Sequence, residues 1–520
     1  PLLQLRYLVI QISLVKGLLF LPLGFWHSQK RLRPQLLTTE ILIFFSLFLK
    51  LSLVLQRYKK AYICELIYRP MNNKFYSVKP ILDLNKKQIF IETYGCQMNV
   101  NDSEVVLSIL QNSGYSLCDT PESADLILIN TCSIRENAEQ KIWSRIEQLK
   151  HIKGKKAHLG IIGCMAERLK EELLENGVVT LVAGPDSYRD LPKLINNLSE
   201  SNKQINTILS EEETYADISP VRMDKNGVSA FISIMRGCNN YCTYCVVPYV
   251  RGRERSRDPK TIINEAKVLF ENGYREITLL GQNVNSYSWD NNQFSFWMLL
   301  EEIAKIDPLL RVRFSTSHPK DMDNAVIDIV AKYPNICKHI HLPVQSGSNA
   351  VLKRMSRKYT RESYLDRVEY IKKVIPECSI STDIIAGFCG ENEQDHMDTL
   401  SIMKQVGYYT AFMFQYSQRP NTMAAKNLED DVTPQDKNRR LNEIISLQNE
   451  LSLLSNQNDV GKVFEVLIEG TSKRSDKELF GRTSQNKVCV FPANEQKVGE
   501  YVCVKVLSCS SATLKGEIVK

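Results

Sequence analysis

Beyond residue 70 this 520-residue chain carries almost no net charge of either sign. Of its 66 Lys/Arg and 59 Asp/Glu, ten and two fall in residues 1–70, which leaves 56 basic against 57 acidic residues in the rest. A global positive field that would hold nucleic acid is thereby excluded, and any RNA contact must come from local patches. Uninterrupted apolar runs of membrane-spanning length are missing too. Residues 8–26 and 41–55 come nearest, but Lys16 and Lys50 interrupt them and the second run is shorter than the ~20 residues a span needs. No methionine precedes Met71, and no cleavable secretory signal is legible. We therefore expect residues 1–70 to be an over-extended reading frame rather than a membrane hairpin, with translation starting at Met71. With no signal, the 14 cysteines point to the reducing cytoplasm, where thiols bind metal rather than pair as disulfides.

The length exceeds what one core supports and predicts three or four domains. In the first, residues 87–215, three short β-branched runs each end in a cysteine: Gln88-Ile-Phe-Ile-Glu-Thr-Tyr-Gly-Cys96, Ala124-Asp-Leu-Ile-Leu-Ile-Asn-Thr-Cys132 and His158-Leu-Gly-Ile-Ile-Gly-Cys164. Helical patterns over 102–112 and 136–150 separate them, so the alternation predicts a parallel-sheet α/β domain. Cys96, Cys132 and Cys164 then share the carboxyl ends of the strands, where such sheets bind ligands. One cysteine there is ordinary packing; three at one topological position are better explained as metal ligands. Cys118 matches no such position and reads as structural.

Cys238, Cys242 and Cys245 form a C-x3-C-x2-C triplet. Three thiolates so spaced hold a [4Fe–4S] cluster by three irons and leave the fourth open. Zinc would want four ligands in pairs, and no fourth is near. Residues 224–455 alternate strand and helix, with strands expected at 230–235, 276–280, 312–315, 339–343, 379–385 and 409–416. Helices are expected at 261–272, 296–305, 361–374 and 394–406. Six units predict an incomplete (β/α)6 barrel whose active residues lie at the C-terminal strand ends, and Cys238 follows the first strand directly. The same rule selects Gly281, Gln282, Asn283, Ser315, Gln345, Asp383, Gly387 and Glu391 as candidate cofactor contacts. Residues 433–456 read as a helix burying Leu441, Ile444, Ile445, Leu447 and Leu451. Alternating runs in 457–520, punctuated by glycines, predict a small C-terminal β-barrel. Lys473, Arg474, Lys477, Arg482 and Lys487 there, and Arg251, Arg253, Arg255 and Arg257 beyond the triplet, are the local cationic patches available to RNA phosphates.

The triplet resembles the cluster loop of the radical S-adenosylmethionine (SAM) enzymes. Around the other cysteines, Glu92-Thr-Tyr-Gly-Cys-Gln-Met-Asn99, Asn130-Thr-Cys-Ser-Ile-Arg-Glu-Asn-Ala138 and Gly163-Cys-Met-Ala-Glu-Arg168 resemble the three motifs of the radical SAM methylthiotransferase family. Cys245-Val-Val-Pro-Tyr-Val-Arg-Gly-Arg253, Leu280-Gly-Gln-Asn-Val-Asn-Ser-Tyr287, Phe314-Ser-Thr-Ser-His-Pro319 and His341-Leu-Pro-Val-Gln-Ser-Gly347 are similar to its tRNA branch. The likeness runs from Gln88 to Lys520; one departure is Cys389, where the family usually has proline.

The resemblance implies a radical SAM domain, a C-terminal TRAM domain, and two [4Fe–4S] clusters. An auxiliary one would sit on Cys96, Cys132 and Cys164, and a SAM-binding catalytic one on Cys238, Cys242 and Cys245. It implies methylthiolation of C2 of N(6)-isopentenyladenosine at position 37, in the tRNA anticodon stem-loop. The C2–H bond is unactivated, so positioned acids and bases do not suffice and a 5′-deoxyadenosyl radical is called for. A reductant protein such as flavodoxin or ferredoxin and a monomeric state are also expected. Alternatives are methylthiolation of threonylcarbamoyladenosine or of a ribosomal-protein aspartate, or an iron–sulfur RNA-binding or sensing protein.

Overall fold

The computed structural model describes residues 87–133, 136–152, 157–198, 202–223 and 226–519. The expected reading-frame extension and its two apolar runs lie outside them. No helix among the described residues is long and apolar enough to cross a membrane.

The N-terminal domain is a six-stranded parallel sheet of β1 (Lys87–Tyr94), β2 (Tyr115–Leu117), β3 (Leu126–Thr131), β4 (His158–Gly163), β5 (Leu181–Ala183) and β6 (Gln204–Asn206), in the order β2-β1-β3-β4-β5-β6. Helices α1 (Gln97–Asn112) and α2 (Glu136–Ile152) fall where the patterns place them, and α3 (Cys164–Leu169) follows β4 directly. β3 is buried at every position, as a central parallel strand covered on both faces must be. Three-residue β2, β5 and β6 are too short to show a period, and the sequence pattern does not reveal them.

The barrel of the second domain is built of six strands in two parallel three-stranded sheets, and two short antiparallel pairs, Met235–Arg236 with Arg255–Ser256 and Ser288–Trp289 with Phe294–Ser295, lie in its loops. One parallel sheet is β7 (Ser229–Ser233), β8 (Glu276–Leu280) and β9 (Arg311–Ser315); the other is β10 (His339–His341), β11 (Ser379–Ala386) and β12 (Thr410–Gln415). A bridge from Val312 to Ile336 joins the end of the first sheet to the segment leading into the second. Among the helices between the strands, α4 (Val247–Arg251) is a single short turn after the cysteine triplet. α5 (Pro259–Glu271), α6 (Phe296–Ala304), α7 (Asn324–Lys332), α8 (Asn349–Arg354), α9 (Arg361–Val374) and α10 (Glu393–Val406) are the crossovers. Their apolar faces bury Ile262, Leu299, Ile327, Ile371 and Ile402 against outward residues such as Ile277, Val312 and Ile384 in one continuous core.

The long helix α11 (Pro434–Gln457) starts at Thr433, whose hydroxyl accepts from Asp436 N. Its buried face differs from the expected leucine stripe. Lys437, Arg440, Ile444, Gln448, Ser452 and Asn456 are buried, while Leu441, Leu447 and Leu451 are only half-buried. The reason is the open edge of an incomplete barrel. Gln448 Nε2 donates to Tyr408 O at 2.9 Å and Ser452 Oγ to Tyr409 O at 2.8 Å, so polar side chains satisfy backbone carbonyls at the start of β12.

The C-terminal domain is a closed five-stranded barrel of β13 (Val463–Ser472), β14 (Ser475–Thr483), β15 (Val488–Pro492), β16 (Tyr501–Cys509) and β17 (Leu514–Val519), in the order β13-β14-β15-β17-β16. Its β14–β15 turn plugs the bottom of the second domain. Arg311 donates to Arg482 O at 2.7 Å, Arg313 to Thr483 O at 2.9 Å and Ser379 Oγ to Gln485 O at 2.6 Å. Arg313 also pairs with buried Glu276 at 2.8 Å. Arg313→Ala strands that carboxylate and a carbonyl, so unfolding in denaturant should show a loss of ~3–5 kcal/mol.

Candidate active site

Tyr94, Thr131 and Gly163 are in register across the adjacent strands β1, β3 and β4. The cysteines that follow them therefore emerge at one level of the sheet, with strands about 4.8 Å apart. Gly95 precedes Cys96 with φ +143°, and a Cβ there would come within 2.7 Å of both Asn99 Oδ1 and Cys132 Cβ. Asn99 and Asn130 lock the loops together: Asn99 Nδ2 donates to Asn130 Oδ1 at 3.0 Å, and Asn130 Nδ2 to Asn99 O at 2.9 Å. The Cys132 thiol hydrogen-bonds to Cys96, and with Arg251 nearby this lowers the Cys96 thiol to about 6. Cys164 lies in electrostatic reach of Cys96; burial raises its thiol, and Arg251 opposes that by donating from Nε to Cys164 Sγ at 3.2 Å.

The second set starts at the end of β7. Gly237, before Cys238, has φ +80°, and a Cβ would stand 1.9 Å from Arg253 O, so only glycine fits. Burial pushes the Cys238 thiol up to about 11 and raises that of Cys245 further, each reinforced by the neighbouring Cys242. Cys242 Sγ accepts from Arg357 Nη1 at 3.2 Å. Buried Arg357 is otherwise held by Pro343 O and Tyr359. The two sets adjoin, because Val246 and Val250, flanking and within α4, pack against Cys164.

Among the described residues no three His, Cys, Asp or Glu side chains converge on a single-ion site. The donor chemistry fits an iron–sulfur cluster: three thiols per set, one guanidinium on a sulfur of each, and a buried Arg251 Nη1 that has no acceptor.

Of the strand-end candidates, Gly281, Gln282, Ser315, Gln345 and Asp383 surround the barrel mouth. Gln282 Oε1 is buried without a partner, as is Ser317 Oγ two residues past Ser315. Gln345 is held in the left-handed region at φ +69° by backbone bonds to Asp383 and Ile385. Asn283 and Glu391 are otherwise committed. Asn283 bonds Asp321 and the His318 amide, while Glu391 Oε1 accepts from Gly387 N at 2.9 Å and Arg440 Nη1 at 3.1 Å. Gly387 approaches Lys437 too closely for any Cβ, so these three shape the loops instead of offering free polar atoms. Cys389 does not open its turn, because Glu391 and Arg440 close it.

Alternation along β11 sends Ile380 and Ile384 to the core and Ser381 and Asp383 into the lumen. There Ser381 Oγ bridges His339 Nε2 and His341 Nδ1 at 2.9 Å each, and His341 Nε2 stands 3.6 Å from Asp383. Phe412, opposite Asp383 on β12, is 50% exposed with its ring edge-on to His341. Phe412 thus presents an apolar face beside Asp383 and His341. His339, His341, Phe412 and Arg357 escape sequence reasoning; strand parity could have flagged the first three.

The arginine patch is corrected. Arg251, Arg255 and Arg257 are buried, paired with Asp102, Asp186 and Glu265 at 2.8, 2.9 and 2.6 Å, so only Arg253 faces solvent. In the C-terminal barrel Lys473 and Arg474 are exposed at the β13–β14 turn, Arg482 pairs with Glu469 at 3.3 Å, and Lys487 is buried on Asp459.

Three family models match in chain order: "Uncharacterized protein family UPF0004" over residues 88–184, the radical SAM superfamily over 232–403 and the TRAM domain over 457–519. A tRNA-2-methylthio-N(6)-dimethylallyladenosine synthase of Bacteroides fragilis is 56% identical over 440 residues, spanning 84% of this chain and 96% of the relative. That of Phocaeicola vulgatus is 55% identical over 446 residues, 85% and 98% of the two chains. The chain belongs to this synthase family. A tryptophan-bound radical SAM methyltransferase from Kitasatospora setae shares the fold, with a TM-score of 0.51 at 15% identity over 65% of this chain and 75% of that one. Family membership makes the protein a radical SAM enzyme that transfers a sulfur-containing group, with SAM and iron–sulfur as its cofactors.

The two cysteine sets differ before any metal binds. In the apo-protein at pH 7.5 Cys96 is above its pKa and Cys238 well below its own. Iodoacetamide should label Cys96 much faster, as read by peptide mass spectrometry.

Proposed function

We propose that this chain transfers a methylthio group to C2 of N(6)-isopentenyladenosine at position 37 of tRNA. The reading takes one [4Fe–4S] cluster on Cys238, Cys242 and Cys245 and a second on Cys96, Cys132 and Cys164. The observation that carries it is the packing of α4, which leaves the triplet, directly against Cys164. Transfer of sulfur to a carbon radical requires both groups beside one base. When bound, SAM and the clusters supply the radical and the sulfur chemistry.

The residues of the chain position and exclude. Gly281, Gln282, Ser315, Gln345 and Asp383 ring the cofactor end of the lumen, and Phe412 offers the base an apolar face beside them. An anticodon-loop base is single-stranded and enters such a pocket at modest cost. Arg253 near the mouth, and Lys473, Arg474 and Arg482 on the TRAM barrel, are the RNA contacts in this reading. The enzyme acts as a cytoplasmic monomer supplied with electrons by a flavodoxin or ferredoxin.

The test is nucleoside mass spectrometry of isopentenylated, unmethylthiolated tRNA incubated anaerobically with the cluster-loaded protein, SAM and a reductant. A methylthio product is expected, and it should vanish in Cys242→Ala and in Cys132→Ala. 5′-Deoxyadenosine without methylthio-tRNA would move the substrate to threonylcarbamoyladenosine or a ribosomal-protein aspartate. Neither product from fully loaded protein would sink the catalytic reading.

Burial separates the arginines into two kinds. Arg253→Ala should weaken tRNA binding at all sequences and reduce the salt slope of log K by about one. Arg255→Ala should instead lower the melting temperature, because it leaves Asp186 buried with less charge compensation.

A further inference from the structure

Arg251 belongs by sequence to the loop of Cys238, Cys242 and Cys245, yet its side chain ends on the other cysteine set. Nε donates to Cys164 Sγ at 3.2 Å and Nη2 to Asp102 Oδ2 at 2.8 Å. Asp102 in turn holds Arg236 Nη1 at 2.8 Å, and all three side chains are buried. Asp186 pairs with Arg236 at 3.5 Å and with Arg255 at 2.9 Å, so three guanidinium groups against two carboxylates leave a net positive charge beside Cys164. Nη1 of Arg251 is buried and has no acceptor. A residue needed only to tie two domains together would be served by its bond to Asp102, and need not aim a donor at a sulfur.

A [4Fe–4S] core on three thiolates is a net anion, and reduction makes it more so. N–H groups directed at ligand sulfurs and buried positive charge favour the reduced state and raise the potential. In a dry environment neither effect is screened.

We propose that Arg251 is a positioning residue that donates to the Cys164 ligand and sets the reduction potential of the cluster on Cys96, Cys132 and Cys164. The inference rests on the assignment of those cysteines above. Because Arg251 leaves the SAM-cluster loop, it also links the electrostatics of the auxiliary site to the position of that loop.

The experiment is an EPR-monitored redox titration of the full chain with Cys238, Cys242 and Cys245 replaced by alanine, so that a single cluster reports. Arg251→Gln should shift its potential to more negative values, and Arg251→Lys, which keeps the charge but loses the fork of donors, should shift it less. Asp102→Asn leaves the arginine and removes the opposing charge, so its shift should be positive. Opposite signs at equal iron and sulfide content would not arise from a strut. An unchanged potential in loaded Arg251→Lys and Asp102→Asn would overturn the proposal, as would a loss of iron from Arg251→Gln alone while those two titrate normally. Should the parent with Arg251 intact bind no cluster at all, the ligand assignment itself fails and the inference goes with it.

Discussion

The Asp102 carboxylate, fully buried between Arg236 and Arg251, is the contact on which the site depends. Asp102 sits on α1, directly after the first cysteine loop, whereas both arginines flank the triplet. An isolated carboxylate at that depth would be protonated or would unfold its surroundings; two guanidinium groups hold its pKa below the usual range despite burial. The arrangement does not stop there. Asp186 takes Arg255 at 2.9 Å and Arg236 at 3.5 Å, and Arg222 reaches both Glu104 and Glu265. Asp102 and Asp186 of the N-terminal domain thus meet arginines of the barrel, and Arg222 in the connector ties an acid of each domain, across a buried seam. Buried pairs of this kind add little net stability over apolar packing, but they tolerate no slippage. A seam that must keep two sulfur sites in fixed relation gains from that intolerance.

The barrel achieves closure by an equally specific route. Six strands leave an open edge, and α11 covers it with Gln448 and Ser452 on the exposed carbonyls. At the bottom, backbone carbonyls of the C-terminal barrel accept from Arg311 and Arg313. The third domain is therefore both a carrier of surface cations at Lys473 and Arg474 and the floor beneath the second domain's strands. Ser484 and Gln485 of its β14–β15 turn accept from Lys338 N and Ser379 Oγ at the base of the His339–Ser381–His341 column.

Element type and order were legible because hydrophobic periodicity is local. β8 and α9 fall on the expected bounds, and Cys96, Cys132 and Cys164 were placed at strand ends from pattern alone. Pairing of charges was not legible. Arg251, Arg253, Arg255 and Arg257 alternate in sequence and read as one patch, yet Arg251 and Arg255 turn inward to Asp102 and Asp186, far away in the chain, and Arg257 turns to Glu265 on the next helix. The polar part of the buried face of α11 is illegible for the same reason: a carbonyl on a barrel edge recruits Gln448 and Ser452, and no property of the helix alone announces it. Asn283 and Glu391 showed the converse, since a polar residue at a strand end is as readily consumed by its own loop as by a ligand.

The near-neutral balance of residues 71–520 takes on a different meaning once the arginines are located. Arg236, Arg251, Arg255, Arg257, Arg311, Arg313, Arg357 and Arg440 are all buried. Guanidinium is the cation suited to such sites, because its planar fork satisfies carboxylates, carbonyls and sulfurs at once and is weakly hydrated. These charges are spent inside, the remaining Lys/Arg of residues 71–520 stand among 57 acidic residues, and a long-range field is absent. Recognition of a nucleic acid then depends on a small number of placed contacts and on the shape of the lumen. That is what modification of one base in a folded RNA requires, since a general affinity for phosphate would hold the enzyme on every RNA alike.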